Sequence, residues 1–399
     1  MSLIASILRA NGLSFGQVVA QTGSGATSID WTSSSKQRVT LTGNATLSFV
    51  APIGVTTTTL FIQQDATGGR TITWPAGMKW STGSAPTLST GAGAVDMVTL
   101  LYDGTNYWSQ FTANFLTVFG PAGICVDGDS ISAGYGSGVE YSTLAAAEMQ
   151  SGFGTMTNIA VSGETFATML SNIPSNVVPV INAAISAKQI PMCSCFAGTN
   201  DIVASASASA VYTTATNYFE TCKTDGAKYC FAWTILPRSG FAGFEATRLS
   251  FNSMLLAGYS SIEVDYVVNV GADPSLGNVN ATSNGTLYLD GIHPTAFGDQ
   301  ILADYFAANL LQVGTGVSVT GISPGTGSIA GGTSVTITGK GFLGATVVNI
   351  GGLRAASFTV VDDGHITATT PAAYYAGAGP VIIIAPNGSG LLASGWTWT

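Results

Sequence analysis

Between residues 36 and 115 apolar side chains recur at every second position, in short runs broken by glycine turns: Val39 and Leu41, then Ala45, Leu47 and Phe49, then Leu60 and Ile62, then Ile72 and Trp74. A period of two sends successive side chains to opposite faces, so this stretch predicts an all-β module. From Pro121 to Val313 the pattern changes to apolar runs of four to six residues separated by helical stretches. Strands are predicted at 124–127, 159–161, 192–196, 229–233 and 266–270, with helices at 139–149, 166–187, 204–221 and 244–257 between them. The Ala/Ser alternation of 204–210 mimics a strand, but its place between two strands favours a helix start. Such alternation implies a parallel sheet covered by helices on both faces, a three-layer α/β domain. After Gly314-Thr315-Gly316 the chain turns all-β again, with strands at 335–338, 347–350, 358–361 and 381–385. The expected domains are therefore 1–117, 118–314 and 317–399.

Composition narrows the classes. Of 399 residues only 8% are charged while 46% are hydrophobic and 50 are glycine, which excludes disorder as the dominant state. The net charge is −9, and there is no Lys/Arg cluster to meet nucleic acid or an anionic membrane. The middle segment alone is acidic, with five bases against fifteen acids, whereas each flank is nearly balanced. No apolar run is long enough to span a bilayer, and the start, Met1 to Leu8, lacks the cationic opening of a signal peptide and reads as unprocessed and cytoplasmic. The five cysteines, Cys125, Cys193, Cys195, Cys222 and Cys230, are odd in number and confined to the middle segment, which predicts reduced core thiols rather than a disulfide framework. Cys193 and Cys195 share a strand face; packing is favoured over a metal pair, and no zinc constellation is expected.

Chemistry concentrates where the middle strands end. The first run closes on Asp127-Gly128-Asp129-Ser130-Ile131, the second on Asn158-Ile159-Ala160-Val161-Ser162-Gly163, and the third on Phe196-Ala197-Gly198-Thr199-Asn200-Asp201. The carboxyl edge of an open parallel sheet is where ligands bind. A serine there needs a base to remove its proton and a carboxylate to orient that base. The chain has two histidines. His365 lies in an Asp362-Asp363-Gly364 turn of the C-terminal segment and reads as a surface residue. His293 follows Asp290 by three positions in Leu289-Asp290-Gly291-Ile292-His293-Pro294, ahead of an amphipathic helix carrying Ile301, Leu302, Tyr305 and Phe306 on one face. Ser130, Asp290 and His293 are the candidate triad. The N–H groups of Ser130 and Gly163 and the amide of Asn200 are candidate donors to a tetrahedral oxyanion. Asp129 and Asp201 read as loop and cap carboxylates. Trp233 and Arg238, after the fourth strand, are candidates for lining a substrate groove, against core packing and a surface ion pair. No Gly-x-Ser-x-Gly elbow and no phosphate-binding loop occurs.

Together, Gly128-Asp129-Ser130-Ile131, Gly163, Gly198-Thr199-Asn200-Asp201 and Asp290-Gly291-Ile292-His293-Pro294 resemble the four blocks of the SGNH (GDSL-type) hydrolases, with isoleucine where the name has leucine. The resemblance covers about 190 residues. It implies a three-layer sheet, Ser130 as nucleophile, His293 as base, Asp290 as its orienting acid, Gly163 and Asn200 in the oxyanion hole, and no cofactor. In the N-terminal module, Gln63-Gln64-Asp65 through Thr73-Trp74-Pro75 and Tyr102-Asp103-Gly104-Thr105-Asn106-Tyr107-Trp108 resemble a β-rich module of phage tail and fibre proteins. Ile322-Ser323-Pro324, Gly331-Gly332-Thr333-Ser334-Val335-Thr336-Ile337-Thr338-Gly339, Gly341-Phe342 and Thr370-Pro371 resemble an IPT/TIG domain, an immunoglobulin-like sandwich.

These resemblances imply a serine esterase that removes acyl groups, foremost O-acetyl, from a bacterial surface polysaccharide as part of a phage tail. Its place would be the virion, and its partners other tail proteins, in a trimer if it follows tail fibres and spikes. Two rivals remain at this stage: a secreted bacterial esterase acting on acetylated plant polysaccharide or small lipidic esters, and a non-catalytic tail protein that only binds glycan.

Overall fold

The computed structural model describes residues 19–65, 67–81, 83–90, 94–112, 122–149, 154–312, 316–385 and 388–399. The expected unprocessed start, the boundary at 117/118 and the Gly314-Thr315 boundary lie outside them. The chain divides into two compact units, Met1–Val118 and Phe119–Thr399.

In the first unit β1 (Val19–Asp30), β2 (Lys36–Val50), β3 (Thr56–Gln64), β4 (Ile72–Thr73), β5 (Met78–Trp80), β6 (Val95–Tyr102) and β7 (Tyr107–Thr112) form one sheet. The alternation read from Val39 to Phe49 belongs to a single strand, β2, rather than to two. β1 precedes Val39, in a Gly/Ser/Thr-rich stretch without an apolar period. Consecutive strands β1, β2 and β3 pair in parallel, Val19 opposite Gln37 and Lys36 opposite Thr59. A straight strand the length of β1 would run about 40 Å, and the short link to β2 spans at most about 20 Å. The strands must therefore curl round to start again beside their own beginnings.

The second unit carries a five-stranded sheet in the order β12 (Tyr266–Val268), β11 (Tyr229–Trp233), β10 (Ile190–Phe196), β8 (Ala122–Gly128), β9 (Gly154–Asn158). Every neighbouring pair is parallel. Helices α1 (Tyr141–Glu148), α2 (Phe166–Ser186), α3 (Thr199–Val203), α4 (Ala208–Thr224), α5 (Phe244–Gly258) and α6 (Ala296–Gln312) connect and flank the strands. β8 lies between two strands and is buried at all of its positions, as a strand covered on both faces must be. Two expectations shift. The second strand is Gly154–Asn158, with 159–161 continuing only as an extended run. The Ala/Ser stretch is not yet helix at 204, because Ser207 caps α4 by accepting the N–H of Ala210.

The C-terminal segment is a two-sheet sandwich. One sheet is β13 (Ser318–Ser323), β15 (Ser334–Lys340), β19 (His365–Thr369) and β18 (Ser357–Asp362) in that order; the other runs β14 (Thr326–Gly327), β21 (Gly388–Trp398), β20 (Gly377–Ala385), β16 (Val347–Ile350), β17 (Leu353–Arg354). It packs on the α/β domain through α6. That helix was expected to be amphipathic, yet Gly298 and every residue from Ile301 to Leu311 are buried. Val347, Leu353, Ile382 and Ile384 of the sandwich join the same apolar cluster as Ile124, Val126, Leu302 and Phe306. Polar groups seal the seam: Arg354 pairs with Asp304 at 2.7 Å and with Glu148, and the Ser389 hydroxyl donates to the Ala308 carbonyl.

Candidate active site

The turn that carries Ser130 is set by backbone crowding. Where β8 ends, Gly128 sits at φ +151°, and a Cβ there would lie 2.3 Å from Ser132 Oγ and 2.6 Å from the Phe196 carbonyl. Only glycine lets β8 turn this close to β10. Asp129 then accepts the Ile131 N–H at 3.0 Å, and Ser130 emerges at the carboxyl edge, 9% exposed. Burial pushes the Asp129 carboxyl up to about 7, against the pull of the Ile131 N–H and of Arg238. Asp201 accepts the first N–H of α2, from Phe166, at 3.2 Å, so both extra carboxylates tie loops.

The second half of the site arrives from the far end of the domain. Residues 288–294 form a narrow loop, closed by a bridge between Tyr288 and Pro294 and by the Leu289 N–H donating to the His293 carbonyl at 2.8 Å. At its tip Gly291 has φ +81°, and a Cβ would lie 2.2 Å from Ser239 Oγ. Asp290 Oδ1 accepts the N–H groups of Ile292 and His293 at 3.0 and 2.9 Å, and Oδ2 lies 2.8 Å from His293 Nδ1. His293 Nε2 lies 2.8 Å from Ser130 Oγ. Partial burial pushes the Asp290 carboxyl up, but the His293 N–H, the imidazole and the Ile292 N–H together outweigh it and hold it below the usual carboxylate range. An ionised Asp290 favours the imidazole tautomer with hydrogen on Nδ1, leaving Nε2 free to accept the serine proton.

The remaining predicted donors lie on neighbouring strands. β8 is flanked by β9 and β10, so Ser130, Gly163 and Asn200 follow three adjacent strand ends about 4.8 Å apart. The Ile159 and Val161 N–H groups donate to the carbonyls of Val126 and Gly128 at 2.8 and 3.1 Å, which draws the Gly163 turn alongside Ser130. Asn200 Nδ2 donates to the Glu164 carbonyl at 2.9 Å; this orients the amide and leaves its second hydrogen unspent. Neither the Ser130 nor the Gly163 N–H has a backbone acceptor among the described residues.

Trp233 does not line a groove. It is 2% exposed, stacks on Phe196 with centroids 4.7 Å apart and donates its indole N–H to Ser194 Oγ at 2.8 Å. Its place at the end of β11 aims it into the core. Arg238, five residues on, is half-buried, with Nη1 3.4 Å from Thr199 Oγ1. Sequence reasoning missed Tyr135. Its N–H donates to the Ser130 carbonyl at 3.0 Å and its ring lies over the His293 imidazole, centroids 4.5 Å apart. The flanking Gly134 and Gly136 were the only available signal, since both take positive φ to curl the loop back. Tyr135, Leu289 and Val161 form an exposed apolar rim.

All five cysteines are buried and free. Among the described residues no group of three or more His, Cys, Asp or Glu is placed to hold a metal ion, and no helix is long and apolar enough to cross a membrane.

Residues 11–107 match the family of the phage tail fibre C-terminal domain, and residues 318–395 match the IPT/TIG domain. Both resemblances read from the sequence are thereby borne out. No curated protein matches the chain. Solved structures similar to it include TesA, at 20% identity and TM-score 0.36 over 48% of this chain and 98% of TesA. A G-D-S-L-family lipolytic protein from Veillonella parvula is similar at 20% identity and TM-score 0.37, over 46% of this chain and 94% of its own. A catalytic mutant of Axe2, an acetylxylan esterase from Geobacillus stearothermophilus, is similar at 16% identity and TM-score 0.37, over 47% and 93%.

Proposed function

We propose that the protein is a serine esterase that removes acyl groups, foremost O-acetyl, from a bacterial surface polysaccharide. The observation that carries this reading is the unbroken line Asp290 Oδ2, His293 Nδ1, His293 Nε2, Ser130 Oγ, with both gaps at 2.8 Å. His293 takes the Ser130 proton as Oγ attacks the ester carbonyl, and Asp290 stabilises the imidazolium that forms. The Ser130 and Gly163 N–H groups and the Asn200 amide receive the oxyanion. Collapse of the tetrahedral intermediate expels the sugar alkoxide, to which His293 returns the proton. Water, deprotonated by His293, then attacks the acyl-serine, releasing the carboxylic acid and regenerating Ser130.

Two observations favour a glycan. The tail-fibre match over residues 11–107 supports a virion protein that meets a bacterial surface. The rim formed by Tyr135, Leu289 and Val161 is exposed, which suits a polymer lying across the site better than a lipid chain threaded into an apolar tunnel. Assembly with other tail proteins, as a trimer, belongs to the same reading and is tested by light scattering. The chemistry is tested by p-nitrophenyl acetate hydrolysis and by acetate release from host polysaccharide. Wild type should turn over both and Ser130→Ala neither; equal p-nitrophenyl acetate rates in the two proteins would remove the esterase reading. Turnover of p-nitrophenyl acetate with no acetate from any host glycan would remove the deacetylase reading alone.

A further inference from the structure

The catalytic segment is acidic, and its few cations are mostly spent. Lys223 pairs with Asp265 at 2.7 Å. Arg248 is buried, pairs with Glu245 at 2.5 Å and donates to the carbonyls of Ile235 and Gly271. Lys228 lies over the ring of Tyr229 at the opposite, amino edge of the sheet, and Lys188 follows α2 on that same edge. Arg238 differs from all of these.

Arg238 is wedged between the two halves of the site. Its Nη1 reaches Thr199, the residue before Asn200, at the long distance of 3.4 Å. The next residue, Ser239, donates its N–H to the Gly291 carbonyl at 2.9 Å, inside the Asp290 to His293 loop. The guanidinium lies against Phe244, 5.7 Å from the ring centroid. Its Nε is buried without a partner among the described residues. Asp129 and Asp290 act on the guanidinium through space, but neither forms an ion pair with it. A guanidinium has five N–H donors in a rigid fork, and one long contact leaves most of that fork unspent. A buried N–H without an acceptor, as at Nε, is costly, and the site that the exposed part of the fork borders is the one where substrate must lie.

Building on the glycan-esterase reading, we propose that Arg238 is an anion-recognition residue and that the natural substrate is an acylated glycan whose sugars carry a carboxylate. A planar carboxylate matches the guanidinium fork in two parallel hydrogen bonds. The acidic surroundings sharpen the selection, because an anionic polymer is repelled wherever Arg238 is not.

The test is calorimetric binding, which needs no turnover. Trigalacturonate, glucuronate and N-acetylneuraminate are each compared with their methyl esters, which lack the charge, on Ser130→Ala protein, so that no ester is hydrolysed during the titration, with Arg238 intact or changed to Gln or Lys, and with thermal melts to verify folding. With Arg238 intact, the protein should bind at least one free carboxylate about tenfold or more tighter than its ester, with the advantage shrinking as salt rises. Arg238→Gln should abolish that advantage and Arg238→Lys retain part of it. Which acid shows the effect separates a uronate from a sialate source. If no free acid outbinds its ester, or if the advantage survives in Arg238→Gln, the proposal is overturned. Ser130-dependent p-nitrophenyl acetate turnover, measured separately, shows whether the esterase reading stands regardless.

Discussion

The molecule contains two loops with the same local chemistry and different surroundings. Asp290-Gly291-Ile292-His293 and Asp362-Asp363-Gly364-His365 each place a carboxylate three residues before a histidine, and in each the imidazole Nδ1 lies 2.8 Å from an aspartate oxygen. Both aspartates sit below the usual carboxylate range. For Asp362 the causes are the Gly364 N–H and then the His365 imidazole; for Asp290 the His293 N–H and imidazole overcome partial burial. The far side of the ring separates them. His293 is 13% exposed and meets Ser130 through Nε2, whereas His365 is 52% exposed. An Asp–His dyad is thus a local, recurrent product of loop geometry, and the arrangement proposed for catalysis arises only where the fold delivers a hydroxyl to the other nitrogen.

The largest effect should come from breaking the two histidines separately. His293→Ala should lower kcat for p-nitrophenyl acetate about 10⁴-fold or more, while His365→Ala should stay within about twofold of wild type. A comparable loss in both would end the distinction. The aspartates sharpen it next. Asp290→Asn should cost about 10²- to 10⁴-fold in kcat, and Asp362→Asn nothing measurable. Because both carboxyls are depressed in the folded state, each contributes stability above the unfolded value near 4 and loses it as pH falls through the lower folded value. Both variants should therefore flatten the acid limb of the melting curve below about pH 4, although only Asp290→Asn touches turnover.

Smaller again is the oxyanion side, which the His365 loop lacks. Asn200→Ala should reduce kcat about 10²- to 10³-fold with little change in KM. The smallest effect concerns the burial that distinguishes the His293 loop. Asp299, in the first turn of the α6 helix that follows this loop, is 1% exposed, and burial pushes its carboxyl up to about 7. A raised folded value means stability that is full below the unfolded value near 4 and is lost progressively as pH rises from there through about 7. Asp299→Asn should then raise the melting temperature at pH 8 by the equivalent of about 1 kcal/mol or more, with the gain fading as pH falls from about 7 towards 4. No gain at pH 8 would mean that the carboxylate has a compensating partner.

Much of the architecture was legible because its signals are local. Four of the five strands of the α/β domain announced themselves as short apolar runs between helical stretches, whereas β9, Gly154-Thr155-Met156-Thr157-Asn158, carries no such run. The predicted triad and oxyanion residues lie beside a strand end or a glycine turn readable within a few positions. What escaped depends on other elements. The period of α6 suggested one buried face, but the sandwich covers its other side, a fact stored in Arg354, 50 positions beyond Asp304, and in Ile382 and Ile384 further on still. Trp233 was ambiguous because a strand-end tryptophan fits core and groove equally, and only the stacking on Phe196 decided it. Tyr135 carried no signal beyond its flanking glycines, since a ring contact with His293 has no period. The curl of the first three strands was likewise invisible, because alternation is the same in parallel and antiparallel sheets.

The sequence by itself determined the class of each region and the pairing of each aspartate with its histidine. Hydrophobic period and a three-residue spacing act over distances that a few backbone dihedrals control. Only the tertiary structure decided which histidine would find a serine 163 positions away. That contact requires the end of β8 and the loop before α6 to meet at one edge of a sheet, and such closure is set by the packing of the whole domain.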